Sequence, residues 1–131
     1  MIRYSELAIG DYVLVNGIPR RVEAITKKKI GYHIEPQRDK RLYYARFREV
    51  KPIEVTRELL GRLGIPVEEP IDDAQPRFRI EVIDDGSGDD IFCIGLQNVH
   101  EDDYDVVFDV CYLHQLQRAF KILGIEKEFV L

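Results

Sequence analysis

Residues 7–17 read Leu7-Ala8-Ile9-Gly10-Asp11-Tyr12-Val13-Leu14-Val15-Asn16-Gly17. Tyr12 to Val15 is a run of strand formers, and Asn16-Gly17 behind it is a strong tight-turn signal. After Pro19, Arg20-Arg21-Val22-Glu23-Ala24-Ile25 reads as the return strand, with Val22 and Ala24 on one face. Thr26-Lys27-Lys28-Lys29 is then a charged hairpin tip. Ile30, Tyr32 and Ile34 alternate along the next segment, as a half-buried strand requires. Pro36 to Lys40 is a polar loop, Leu42 to Phe47 another strand, and Val50 to Val55 a last one.

Four or five short strands over residues 12–55 point to a small curled barrel, because closing a sheet removes the edges that would otherwise pair with other chains. The opening Leu7-x-Ile9-Gly10-Asp11-Tyr12-Val13-x-Val15-Asn16-Gly17 resembles the start of SH3-like barrels, in which a Gly-Asp turn launches the first strand and a tight hairpin follows.

Beyond residue 55 the pattern changes. Thr56 is a good N-cap, and Val55 and Leu60 are spaced as a hydrophobic staple. Leu59, Leu60 and Leu63 give the helix one apolar face. Gly64 followed by Ile65 is a Schellman-type stop, and Pro66 prevents continuation. An acidic loop, Glu68 to Asp73, leads to three strands: Phe78 to Val82, Ile91 to Val99 and Tyr104 to Val110. Asp84 to Asp90 and Glu101 to Asp103 are the turns of this antiparallel meander. Leu113, Leu116, Phe120 and Leu123 mark a C-terminal helix, with Asp109 as its cap and Gly124-Ile125 as its end. The expected fold is α+β: an SH3-like β-barrel over residues 1–55, then a short helix, a β-meander and a C-terminal helix over residues 56–131. Each half lies at the lower size limit for folding alone, so one compact unit with a shared core is expected.

Tyr112-Leu113-His114-Gln115-Leu116-Gln117-Arg118-Ala119-Phe120, then Gly124-Ile125-Glu126, resembles the C-terminal signature of a family of small uncharacterised proteins. They occur in gut-dwelling bacteria, their phages and mobile elements. Leu7-x-Ile9-Gly10-Asp11-Tyr12-Val13 and Val50-x-Pro52-Ile53-x-Val55-Thr56-x-Glu58-Leu59-Leu60 are similar to the same family. The resemblance implies a bacterial or phage setting and supplies no activity.

The chain has 131 residues, 45% apolar and 33% charged, which is enough apolar material for a core. The uncharged run from Ile91 to His100 is about half of what a spanning helix needs, and Glu6 and Asp11 interrupt any leader-like start. No membrane association and a cytoplasmic location are expected. Cys93 and Cys111 make no disulfide framework and read as small buried hydrophobes.

Charge divides the chain. Residues 1–52 hold 12 Lys/Arg and 6 Asp/Glu, a net of +6; residues 53–131 hold 7 and 18, a net of −11. The halves therefore have different partners or attract each other.

Chemistry-bearing motifs are few. Cys111-x-x-His114 with Cys93 and His100 lacks the two close ligand pairs of structural zinc. Asp84 to Asp90 fails the calcium-loop pattern and reads as an ordinary turn. No Gly-x-Ser-x-Gly, phosphate-binding loop, Gly-x-Gly-x-x-Gly or His-Glu-x-x-His is present. Cys111 and His114 are one turn apart, a pairing that three His among so many acids make cheap by chance, and no cofactor or metal is expected. The basic residues Arg20, Arg21, Lys27, Lys28, Lys29, Arg38, Lys40, Arg41, Arg46 and Arg48 lie among Tyr32, Tyr43, Tyr44 and Phe47. Such a surface attracts phosphates and stacks unpaired bases. Equally, the lysines fit a solvated tip and the rings fit a core. The leading expectation is a non-enzymatic interaction module that binds a protein partner. The alternative is nucleic-acid binding through Arg20, Arg21, Lys27, Lys28, Lys29, Lys40, Arg41, Tyr43 and Tyr44; an enzyme comes third.

Overall fold

The structure, a computed structural model, describes residues 2–72, 75–84, 86, 90–97 and 104–131. It is α+β, built of small antiparallel sheets with a C-terminal helix. The chain divides into two compact units, Met1–Ile53 and Glu54–Leu131.

In the first unit the Gly10-Asp11 turn is a junction. Asp11 is 1% exposed, and its carboxylate accepts the Ala8 N–H at 2.8 Å. Gly10, at φ 97°, donates its N–H to the Val22 carbonyl at 2.7 Å, and the Val22 N–H returns to the Asp11 carbonyl at 2.8 Å. Strand β1 (Tyr12–Val15) pairs with β2 (Ile18–Arg21) across Asn16-Gly17. Both turn residues have positive φ, 49° and 82°, the requirement of a type I′ hairpin.

The return strand expected over residues 20–25 is broken. Val22 stays bonded to Asp11, but the Glu23 N–H donates to the Gly31 carbonyl at 2.8 Å, so the chain changes sheets between these two residues. Strand β3 (Ala24–Ile25) then pairs with β4 (Lys29–Tyr32), and β4 with β5 (Tyr43–Arg46). A 3-10 turn, Phe47–Glu49, leads to β6 (Val50–Lys51), which joins β1. The last strand is shorter than the expected Val50 to Val55, because Pro52 has no N–H to continue a ladder. Ile34, expected in register with Ile30 and Tyr32, lies beyond β4 and is exposed. The outcome is two three-stranded sheets, β2-β1-β6 and β3-β4-β5, and not a closed barrel. Ile2, Leu7, Val13, Val15, Val22, Ile30, Ala45, Phe47 and Val50 form their common core.

The second unit starts with α1 (Arg57–Arg62). The Thr56 hydroxyl accepts the Leu59 N–H at 3.1 Å, Gly64 is left-handed, and the Ile65 N–H reaches the Leu60 carbonyl at 2.9 Å. Both expected helix signals are present. The sheet has four strands, not three: β7 (Pro70–Asp72), β8 (Gln75–Asp84), β9 (Asp90–Gln97) and β10 (Tyr104–Val110), in the order β10-β9-β8-β7. Strand β7 forms inside the expected acidic loop because Pro70, which has no N–H to satisfy, suits a sheet edge. Strand β9 is central, with Phe92, Cys93 and Ile94 all buried.

Helix α2 (Leu113–Leu123) begins later than an Asp109 cap requires. Asp109 is still in β10, opposite Cys93, and Gln115 ties the helix start instead. Its Oε1 accepts the N–H groups of Cys111 at 3.0 Å and Tyr112 at 3.1 Å. Gly124 and the Ile125-to-Phe120 bond of 2.8 Å end it as expected. The buried face is wider than the apolar pattern, taking in His114 and Gln117 beside Leu113, Leu116 and Phe120. No helix among the described residues is long and apolar enough to cross a membrane.

Candidate functional site

The β4–β5 hairpin decides where the basic and aromatic residues point. Lys29 lies opposite Arg46, Ile30 opposite Ala45, Gly31 opposite Tyr44 and Tyr32 opposite Tyr43. Side chains alternate along a strand, so Ile30, Ala45, Tyr32 and Tyr43 share one face, and Lys29, Gly31, Tyr44 and Arg46 the other. Ile30 and Ala45 are core residues, which makes the first face the inner one.

At the rim of the inner face the Tyr32 and Tyr43 rings lie 6.2 Å apart, tilted by 31°. Both are half-buried. The Arg20 guanidinium sits 5.3 Å from the Tyr32 ring centre, and that of Arg41 sits 5.2 Å from the Tyr43 ring centre. Arg20 is cross-strand from the buried Val13, so its stem covers apolar surface while its head caps a ring. Of these four residues Tyr32 packs against the core, and Arg41 is exposed.

The outer face is built differently. Tyr44 is 52% exposed, and the Lys29 Nζ stands 4.3 Å from its ring centre. The ring rests against the bare backbone of Gly31: a Cβ there would come within 3.2 Å of Tyr44 Cε1 and 3.1 Å of Ala24 Cβ. Glycine at this position gives a cross-strand ring a flat seat.

Beside this face the β3–β4 tip and the end of β5 enclose an open hollow of about 890 Å³, lined by Thr26, Lys27, Lys28, Lys29, Arg46, Phe47 and Arg48. Thr26 holds the tip in shape. Its hydroxyl accepts the N–H groups of Lys28 at 3.2 Å and Lys29 at 3.1 Å, and its own N–H donates to the Lys29 carbonyl at 2.9 Å. Phe47 turns into the core, and the 3-10 turn after it brings Arg48 out beside Arg46. Five cations thus surround one hollow that no carboxylate lines. Among the described residues none of the five is in an ion pair.

The candidate residues therefore do not form one surface. Lys27, Lys28 and Lys29 share the hollow, with Tyr44 adjoining through Lys29. Alternation puts Tyr43 on the opposite side of the sheet, and Arg20 of β2 and Arg41 of the loop before β5 lie over the rings of that inner face, Tyr32 and Tyr43. Arg21 is drawn to Glu23 at 3.6 Å, and Lys40 is exposed in the loop before β5. Arg38 pairs with Glu35 at 3.8 Å. Arg46 and Arg48, named as basic residues but left out of the narrower candidate set, are in the hollow; Thr26 and Phe47 complete it. The signal that finds them is the register of β4 on β5, which sequence spacing alone does not carry.

In the second unit the Cys93 Sγ donates to the Glu81 carbonyl at 3.7 Å. Burial pushes its thiol pKa up, and the charges of Asp109 and Glu81 on the flanking strands push it further the same way. Cys93 is thus held as a neutral thiol, which is a poor nucleophile and metal ligand. Cys111 is exposed, at the edge of a hollow of about 630 Å³ beside α1, where Arg57 bonds Asp90 at 2.8 Å. His114 is buried, its ring stacked 5.9 Å from that of Tyr112. No group of three or more His, Cys, Asp or Glu among the described residues is arranged to hold a metal ion. His100, and most of the Asp84 to Asp90 turn weighed for calcium, lie outside the described residues. Compared with protein-family models, curated proteins and solved structures, the chain matches none.

Proposed function

We propose that the protein is a non-enzymatic binding module whose first unit grips a nucleic-acid strand by its phosphates. One observation carries this reading: Lys27, Lys28, Lys29, Arg46 and Arg48 surround a single hollow with no carboxylate in its lining. Like charges gathered without neutralising partners raise the local potential, and a polyanion relieves it while releasing its own counterions. Four of the five project from a tip and a strand end whose backbones are hydrogen-bonded, so the array is set before the ligand arrives. We read the two small sheets as SH3-like in plan, with the ligand on the outer face. The sequence resemblance adds a bacterial or phage accessory role, in the cytoplasm.

A protein partner is the second reading. The net −11 of residues 53–131 favours a basic partner on the second unit, independent of the hollow.

The test is fluorescence anisotropy of the full chain with labelled single-stranded DNA, duplex DNA and RNA, at low and physiological salt. Affinity falls steeply with salt. Combined Lys27→Ala, Lys28→Ala and Lys29→Ala substitution lowers single-strand affinity on the order of 50-fold at physiological salt, taking three lost phosphate contacts at a salt slope of roughly 0.7 each. Absence of binding at low salt, where the attraction is strongest, sinks the proposal and directs the work to a protein partner.

A further inference from the structure

We propose that the site takes single-stranded nucleic acid in preference to duplex, with Tyr44 as the platform on which an unpaired base stacks. This deepens the phosphate-binding reading and rests on it. Tyr44, Lys29 and Arg46 share the outer face of one hairpin; the Tyr44 ring is exposed, and Lys29, which stands over it, also lines the basic hollow. The Cδ1–Cε1 edge of the ring packs against Gly31, where a Cβ would come within 3.2 Å of Cε1, so the absence of a side chain there gives the ring its place. A flat ring fixed next to cations matches a nucleotide, in which a planar base and a phosphate are joined by a short linkage. Every base has a π-face, so stacking needs no particular sequence, but in a duplex that face is covered by neighbouring base pairs.

Lys29 caps the ring in the free protein. An ammonium over an exposed ring is held weakly, so a base displaces it and Lys29 moves to the adjacent phosphate. The other basic-aromatic pairs are not equivalent. Tyr32 and Tyr43 are half-buried and lean on each other, so each offers less open ring than Tyr44.

The experiment measures anisotropy of the full chain with a labelled oligothymidine, a duplex of the same length and inorganic polyphosphate as competitor. The native chain binds the single strand more tightly than the duplex. Tyr44→Ala weakens single-strand binding about tenfold, within the range of one lost stack, and leaves competition by polyphosphate unchanged; Tyr44→Phe keeps the native affinity. The chain contains no Trp, so Tyr44→Trp carries one reporter, and oligothymidine quenches its emission while polyphosphate does not. That reading holds even if Tyr44→Ala folds poorly. Equal affinity for single strand and duplex, together with an unquenched Trp, overturns the stacking inference and leaves a phosphate site. Failure of nucleic acid and polyphosphate alike to bind overturns the phosphate reading as well.

Discussion

Arg20 over Tyr32 and Lys29 over Tyr44 are chemically alike, a cation 5.3 Å and 4.3 Å from a phenol ring, yet the two rings sit on opposite faces of one small sheet. On the inner face the ring is half-buried, a second ring leans on it, and the cation's stem lies along the core rim. On the outer face the ring is exposed, glycine is beneath it, and its cation belongs to a cluster of five. Composition does not separate these two situations; the parity of the strand position does. A tyrosine faces the core side when it falls in step with Ile30 and Ala45, as Tyr32 does, and presents a surface when it falls one residue out of step, as Tyr44 does.

The widest separation between the faces is expected from Tyr32→Ala. It removes a half-buried ring from the core rim and lowers the unfolding free energy by about 2 kcal/mol in a urea titration followed by far-ultraviolet circular dichroism. The folded fraction keeps native affinity for single strands. A loss of affinity without a loss of stability would reverse the roles assigned to the faces.

Gly31→Val should act on both properties. The new side chain meets Ala24 and the Tyr44 ring at contact distances too short to keep, so stability drops by about 1–2 kcal/mol. The displaced ring also erodes the preference for single strands. An unchanged preference would mean that the seat on Gly31 does not matter to Tyr44.

The smallest effect is expected for Arg41→Ala. Its guanidinium is exposed over Tyr43, so the loss is about 0.5 kcal/mol in stability, and the salt dependence of binding stays the same. A flatter salt dependence would place Arg41 on the phosphate path and extend the binding surface to the inner rim.

Legibility in the sequence follows the range of the interaction. Asn16-Gly17, the Thr56 cap and the Gly64 and Gly124 stops were readable because each depends on a few adjacent residues and on backbone conformations that few side chains accept. The cap of α2 is not local in this sense. Asp109 is a better cap than Tyr112 by residue type, but the ladder to Cys93 keeps it in β10, and Gln115 supplies the acceptor from inside the helix. Strand β7 is hidden in the sequence because Pro70 and its acidic neighbours discourage a strand, although an edge position tolerates them. The candidate site was legible as a list of cations and rings but not as a geometry, since Arg20, Arg41 and Tyr43 share composition with Lys29 and Tyr44 and share no surface with them.

The sequence by itself determined the α+β class, most of the strands and helix ends, the basic first part, and the alternation that makes β4 and β5 two-faced. These are local properties of dihedral preference, period and charge. Only the tertiary structure decided that the chain changes sheets at Val22-Glu23, giving two sheets where a closed barrel was expected. It also decided that Lys29 lies opposite Arg46, so that the lysine tip and the Arg46–Arg48 turn share one hollow. The first outcome depends on which distant backbone groups satisfy each other, Asp11 with Val22 and Glu23 with Gly31, and the second on the β4–β5 ladder, whose partners lie up to 17 positions apart in the chain.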